Sequence, residues 1–551
     1  MRTVIVGGGA CGASCAARLR RLDETAEIII LEATDEISIA NCGLPYYCSD
    51  VINGRDKMIV AKPDTFKNLL NVEVRFNSKV TAINKNKKTV TVNHDYELSY
   101  DNLVLAPGAS PVKPTIPGID NKKIFTVRTL RDADMIKMHI KSANAKNAVV
   151  IGGGFIGVEM AENLVTMGLK TTVIEAASQI LAPFDKDMMA LAHNEMRDKG
   201  CKLIFNDGVK AFTENEIELA SGRHIPYDIA ILGIGVQPDT QIVKEADLET
   251  GLNGLIKVNE FLQTLDENIW AGGDAVEDVD FITGKPAMIP MAGPANRHGR
   301  LIADNITAAA AGKGKTSFKP VLGTSVAKIF NKTFACSGKN EKQLIKEGIK
   351  YIKNITQTND HAGYYPNARP LYVKLLFTEE GKILGVQAAG YEGVEKRVDV
   401  IATVMRLNGN IQDLIDAELS YAPPYSSAKD PVNIAGMSAQ NILDGLYKPA
   451  FFEDIKNSVL IDVRVEEMFN TKTIDGAISV PAVQMRKRFN EVPRDKKVIL
   501  FCNRGFTSYV AIRILNQLGF NNLYSLCGGI NLYSEILKDK KADRTDEKLP
   551  V

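Results

Sequence analysis

The sequence predicts an α/β chain of several domains, and three observations carry that prediction. A β-branched run enters a glycine turn and then a helix-spaced segment at residues 3–22, TVIVGGGACGASCAARLRRL. The same strand–turn–helix order returns at residues 148–168, AVVIGGGFIGVEMAENLVTMG. Near the C-terminus a third apolar strand, VILF, ends at a cysteine and leads through NRGFTS into another helical run. Apolar strands alternating with helices indicate sheets covered on both faces. At 551 residues the chain exceeds what one core organises, so three or four domains are expected.

Composition narrows the function classes. The 67 basic and 66 acidic residues leave a net charge of +1, with no basic excess for nucleic acid. The first residues, MRTVIVGGGACG, go straight into a strand and lack the pattern of a signal peptide; no 18-residue apolar run suggests a membrane span. A cytoplasmic location is expected. The eight cysteines are scattered without a C-x-x-C pair, and the six histidines never fall at metal-ligand spacing, so neither a disulfide framework nor a metal is expected.

Each glycine set reads as a dinucleotide cradle. In the first, Gly7 makes the tight turn, Gly9 lets the backbone approach a pyrophosphate and Gly12 allows close helix packing. Glu32, twenty residues after Gly12, closes the next apolar run and suits ribose hydroxyls. In the second, Gly152, Gly154 and Gly157 repeat the spacing, and Glu175 ends the strand TTVIE. Two such cradles in one chain suit hydride passage through a flavin. A carboxylate at Glu175 repels a 2′-phosphate, so NADH is expected over NADPH; nearby Arg and Lys leave NADPH possible.

Two further segments fit this frame: LVLAPGASP, a strand broken at Pro107-Gly108, and NIWAGGDAVE, which sets Asp274 at a strand end. Together with GIGVQPD at 233–239 they resemble the pyridine nucleotide–disulfide oxidoreductases over roughly residues 1–445. The resemblance implies FAD on the first glycine set, NADH on the second, and a contact from Asp274 to the ribityl chain. It implies an FAD-binding domain in two parts, 1–117 and 249–319, around an NADH-binding domain at 118–248. An α+β dimerisation domain would follow at 320–446.

The stretch SIANCGLPYYCSD holds Cys42 and Cys48 in a C-x5-C arrangement. Members that use a cysteine pair usually keep C-x4-C, and Pro45 argues that these two cysteines do not share a helical turn. N-C-G-L-P-Y at 41–46 resembles the single-cysteine branch: coenzyme A-disulfide reductases, NADH oxidases and NADH peroxidases. Cys42 is then the redox nucleophile, expected as a thiolate with depressed pKa, and Cys48 a bystander. Cys11 and Cys15, one helical turn apart, read as small core residues.

Coenzyme A would need a grip for its arm and phosphates. Arg18 and Arg21, at i, i+3 spacing, either face one phosphate together or form a solvated basic face. Ser14, Ser38 and Asn41 resemble substrate contacts of the coenzyme A enzymes. Leu70 departs from that pattern, where a lysine is expected. Residues 320–446 resemble the family's dimerisation domain, and in coenzyme A-disulfide reductases two tyrosines of the partner subunit reach the cysteine from there and stabilise a thiolate leaving group. Here HAGYYPNA offers Tyr364 or Tyr365, and LSYAPPYSSAKDPVN offers Tyr421 or Tyr425. Tyr365 and Tyr425 are favoured; Tyr421 reads as either a contact or core, and Lys429 as a phosphate contact. This implies a homodimer with shared active sites.

From about residue 447 a small domain restarts the α/β pattern. The strand before Cys502, its NRGFTS loop and the following helix start suit a sulfur anion, with Arg504 adding positive charge. With Asp462-Val463-Arg464, Gly476-Ala477-Ile478 and Pro481, the segment resembles a rhodanese domain, in which the cysteine aligned with Cys502 carries sulfane sulfur. A linker and this α/β rhodanese domain are assigned to 447–551. Cys527 reads as either a resolving thiol or a core residue. The whole resembles coenzyme A-disulfide reductase/rhodanese fusions, which implies NADH-dependent reduction of coenzyme A persulfide, polysulfide or coenzyme A disulfide. An NADH oxidase with an appended sulfur domain and a non-catalytic sulfur carrier or redox sensor are the alternatives.

Overall fold

The computed structural model describes residues 1–546. Residues 1–174 and 208–323 cluster into one compact unit; residues 175–207 and the chain from 324 onward form a second.

In the first unit the leading sheet is parallel. Its order is Ile269–Ala271, Asn102–Leu105, Arg2–Val6, Glu27–Leu31, Glu73–Arg75. Strands such as RTVIV and EIIIL read as unbroken apolar runs because both faces are covered. Val4, Val6, Ile29 and Leu103 pack on one side, against the valines of a small antiparallel sheet. Ile5, Ile28, Ile30 and Trp270 pack on the other, against Cys11, Cys15 and Leu19 of the helix Ala10–Leu22 and Ile302 of the helix Ala292–Ala310. Burial of each such side chain contributes roughly 1.5–3 kcal/mol. Cys11 and Cys15 are thus core residues. The strand Ile269–Ala271, distant in sequence, completes the sheet beside Asn102–Leu105, which joins the two segments expected to share a domain.

A second parallel sheet in this unit places Asn147–Ile151 between Lys170–Ile174 and Ile229–Leu232, with Ile124–Phe125 beyond. The connections run through a short antiparallel pair, Ala109–Pro111 with Val236–Pro238.

The second unit contains a five-stranded antiparallel sheet, ordered Ser325–Ile329, Lys332–Gly338, Ile383–Gly390, Pro370–Phe377, Ile352–Asn359. A five-stranded parallel sheet follows, ordered Lys448–Ala450, Leu523–Leu526, Val498–Phe501, Val459–Asp462, Ile478–Ser479. Ile461 and Leu500 serve one core face of it, Leu460, Ile499 and Phe501 the other. The two sheets meet along the edge strand Ile352–Asn359. Gly528 N–H donates to the Ile355 carbonyl (3.2 Å), Asn531 to Gln357 (3.1 Å) and Arg504 to Asn359 (3.3 Å). The helix Gly529–Asp546 packs along Lys186–Asp198, where Asp539 meets buried His193 (3.0 Å) and Arg197 (2.6 Å).

Buried Lys374 is held by Asp185 (3.1 Å), Asp187 (2.7 Å) and Glu341 (2.5 Å). Those three carboxylates lie close enough together to hold a cation, and the ammonium of Lys374 fills that role. Among the described residues no helix is long and apolar enough to cross a membrane.

Candidate functional site

The two glycine turns are built alike. Gly7 and Gly152 have φ of +94° and +100°, the left-handed region that favours glycine. A Cβ on Gly12 would stand 1.9 Å from the Gly7 carbonyl oxygen, and one on Gly157 2.0 Å from that of Gly152. The third glycine is therefore required so that helix and turn can touch. A Cβ on Gly9 would meet no protein atom within 4 Å, and one on Gly154 would make only an ordinary 3.7 Å contact with the Gly233 carbonyl oxygen. What a side chain there would obstruct is approach from outside. Neither helix start has a side-chain cap, so their first N–H groups remain for an anion. These features fit FAD and NADH pyrophosphates.

Glu32 accepts from Gly8 N–H (2.8 Å) and from Thr34 N–H (2.9 Å), which fixes the carboxylate beside the first turn. Glu175 accepts from Ala177 N–H (2.7 Å). Gly108 has φ +73°, and its carbonyl accepts from Asp239 N–H (3.0 Å). Arg128 ties this hinge together by donating to Asp239 (2.7 Å) and to Ser110. Asp274 is largely buried, and burial pushes its carboxyl up, with His298 opposing that shift. Residue spacing gives no sign of Arg128, since its partner Asp239 lies 111 residues away.

Cys42 stands in the 3-10 turn Asn41–Gly43, exposed, while Cys48 closes the following helix Leu44–Cys48. All eight cysteines are free. Cys48 is buried with its Sγ 4.0 Å from the Ala133 carbonyl, and burial pushes its thiol up to about 12.

The expectation of a depressed Cys42 pKa is corrected. Loss of water on the packed side of this exposed thiol, then the negative charges of Glu159 and Asp274, raise it. Glu159 itself, on the helix Phe155–Thr166, is pushed up to about 7 by burial and by Glu162. Sequence spacing could not flag this acid, since it resembles any polar residue on an amphipathic helix.

Other expected contacts fall unevenly. Ser38 adopts φ +54°, and its N–H donates to the Gly8 carbonyl (3.1 Å), which places the Cys42 segment against the first glycine turn. Asn41 is exposed beside Cys42. Ser14 donates to Asn296 (2.6 Å). Arg18 pairs with Asp304 of the neighbouring helix (2.7 Å), whereas Arg21 faces solvent. Between them, buried Arg20 donates to five backbone carbonyls, including Leu70 and Asn71.

In the second unit the two tyrosine segments converge. Ala362 N–H donates to the Pro423 carbonyl (3.3 Å). Arg397, buried on the helix Val394–Arg406, donates to the carbonyls of Asp360 (3.0 Å) and Tyr425 (3.2 Å) and to Asp430 (3.0 Å). The hydroxyls brought together are those of Tyr364 and Tyr421, 2.8 Å apart. Tyr365 instead sets its ring against His361, and Tyr425 is exposed. Lys429 is exposed on the same segment. Arg397 escaped the sequence reading because an arginine on a helix reads as surface.

Cys502 ends the strand Val498–Phe501 and is nearly buried. Gly505, with φ +111°, turns its N–H to the sulfur (3.2 Å), and Ser508 Oγ lies 3.8 Å away at the start of the helix Phe506–Gln517. This cradle suits a sulfur anion. Asp462 grips Arg464 (2.7 and 3.0 Å), which donates on to Asn503 of the loop (3.3 Å). Arg504, in the same loop, donates to Asn359 (3.3 Å). Cys527 is buried at the seam, 3.6 Å from Asn354 Oδ1, and burial raises its thiol to about 12, as in a core residue.

Residues 1–295 match the family model of pyridine nucleotide-disulphide oxidoreductases, 324–431 the dimerisation domain of that family, and 450–536 the rhodanese-like domain. The chain is 34% identical over 447 residues to the coenzyme A disulfide reductase of Staphylococcus haemolyticus, covering 80% of this chain and all of the relative. It is similar to the structure of reduced Bacillus anthracis CoADR-RHD (45% identity, TM-score 0.94, 98% of each chain). It is also similar to a NAD-dependent persulfide reductase from A. fulgidus (35% identity, TM-score 0.92, 97% of this chain and 100% of the other). A water-forming NADH oxidase from Lactobacillus brevis matches less of it (26% identity, TM-score 0.76, 81% of this chain and 99% of the other).

Proposed function

The chain belongs to the pyridine nucleotide–disulphide oxidoreductases, and on that premise we propose that Cys42 carries the sulfur chemistry and Cys502 supplies it with sulfur. The protein is an FAD-dependent oxidoreductase that takes electrons from NADH and reduces coenzyme A persulfide or coenzyme A disulfide. What carries the persulfide reading is the presence, in one chain, of the Cys42 turn and the sulfur-anion cradle at Cys502. That architecture is shared over nearly its full length with a persulfide reductase.

FAD, when bound, supplies the route for an electron pair from NADH to sulfur. The residues that hold it are Gly7, Gly9, Gly12 and Glu32, the hinge at Pro107 and Gly108, and Asp274. Gly152, Gly154, Gly157 and Glu175 hold NADH. Cys42 acts as a thiolate. Its attack on coenzyme A persulfide forms a new S–S bond at Cys42 and breaks the old one. Either hydrosulfide leaves and coenzyme A stays as a mixed disulfide, or coenzyme A leaves and Cys42 keeps the persulfide. Two electrons from NADH then cleave the Cys42 S–S bond and restore the thiolate.

Because burial and two carboxylates raise Cys42, its ionisation must be helped from elsewhere. The dimerisation domain is the source in this reading: in a homodimer its tyrosines reach the partner's Cys42 and donate to its thiolate as well as to the leaving one. The mutual hydrogen bond favours Tyr364 with Tyr421 for that role over Tyr365 with Tyr425. Ser14, Ser38, Asn41, Arg21 and Lys429 are the proposed coenzyme A contacts, and the cytoplasm the proposed location.

The deciding experiment is anaerobic NADH oxidation with coenzyme A persulfide, coenzyme A disulfide and polysulfide in turn. Turnover with persulfide that vanishes in Cys42→Ser supports the reading. Turnover only when oxygen is admitted would point to an oxidase instead.

A further inference from the structure

We infer that His298 is a positioning residue for flavin binding, holding the 272–274 turn from beneath. The inference rests on the reading that this turn, through Asp274, receives the flavin's ribityl chain.

The turn follows the strand Ile269–Ala271 and is tightly enclosed. A Cβ on Gly272 would stand 2.7 Å from Cys11 Sγ and 2.9 Å from the Cβ of His298. Gly273 has φ +81°, so a left-handed conformation has to be maintained at a site with no room to adjust. Its N–H donates to His298 Nδ1 at 3.1 Å. His298 projects from the helix Ala292–Ala310, is 0% exposed, and sets its ring edge-on to Phe318 at 4.3 Å between centroids.

The tautomer follows from that bond. Nδ1 accepts, so the proton of the neutral ring sits on Nε2. Nε2 lies 3.2 Å from Asp278 Oδ1, a close electrostatic contact without an aligned hydrogen bond. Asp278 thus favours the tautomer whose other nitrogen is free to receive Gly273. Remove the acceptor, and a part-buried N–H loses its partner in the residue next to Asp274. The sequence hid this link, because His298 and Gly273 are separated by 25 residues and belong to different elements.

The test measures flavin release from the dilute holoenzyme by the rise of free-flavin fluorescence, independently of turnover. His298→Gln keeps an acceptor and a donor on a side chain of similar reach and should release flavin within about threefold of the wild-type rate. His298→Leu fills the space without an acceptor and should release it about 10-fold faster or more. If His298→Leu does not fold, the shorter His298→Asn takes its place and should also release faster than His298→Gln. A packing role predicts the opposite order, so Leu as slow as Gln, or slower, overturns the inference. Equal rates in all variants also overturn it. Asp274→Ala separates the two levels. If it leaves release unchanged, the assignment of the turn to the flavin fails and this inference with it. If it speeds release while the His298 variants do not, only His298 loses its role.

Discussion

Replacing Glu159 by Gln should remove a pH-dependent weakness of the fold and ease ionisation of Cys42. Burial first, and the charge of Glu162 second, lift the Glu159 carboxyl from 4.5 to about 7. Between those two values the folded protein binds more protons than the unfolded chain, so stability falls as pH rises through the window. At about 1.4 kcal/mol per pH unit, the loss approaches roughly 3 kcal/mol above pH 7. The Glu159→Gln side chain has nearly the same shape and no charge, and avoids that loss. Melting of wild type and Glu159→Gln should therefore coincide near pH 4.5 and separate by pH 8, with the variant higher. The same substitution removes one of the two carboxylates that raise Cys42. Alkylation of Cys42 by iodoacetamide, followed against pH, should shift to lower pH in the variant. A melting difference independent of pH, or a variant that melts lower at pH 8, would refute the reasoning.

Gly157→Ala should abolish flavin reduction by NADH while leaving bound flavin in place, because a Cβ there collides with the Gly152 carbonyl; stopped-flow absorbance reads both. Lys374→Met leaves Asp185, Asp187 and Glu341 facing one another without their ammonium, and should cost about 3–5 kcal/mol, visible as a lowered Tm. Gly505→Ala strains a φ of +111° and disturbs the N–H donor to Cys502. It should cut sulfur transfer from thiosulfate to cyanide about 10-fold while NADH-dependent coenzyme A disulfide reduction continues. Arg397→Met should loosen both tyrosine segments at once, so its loss of turnover should be no greater when combined with Tyr364→Phe than the sum of the two single losses.

Much of this protein was legible in its sequence because the relevant contacts are local. The glycine turns, the N-C-G-L-P-Y thiol and the Cys502 loop are each contained in a few consecutive residues whose spacing has a direct geometric meaning. The two parallel sheets of the first unit, and the rhodanese sheet after them, follow from unbroken apolar runs that only a doubly covered strand tolerates. Side chains whose partners are remote behaved differently. Residue spacing does not show that Arg18 pairs with Asp304, or that Arg504 bonds to Asn359, 145 residues away. Arg397 and His298 gave no sign at all.

The sequence by itself therefore determined the order of domains, the two glycine turns and the two candidate thiols, since local backbone geometry and periodicity suffice for each. Only the tertiary structure decided which charges surround Cys42, which tyrosine hydroxyls meet, and what holds the 272–274 turn. Electrostatic fields and hydrogen bonds depend on distance in space, and a long chain folding back on itself sets those distances without leaving a mark in residue spacing.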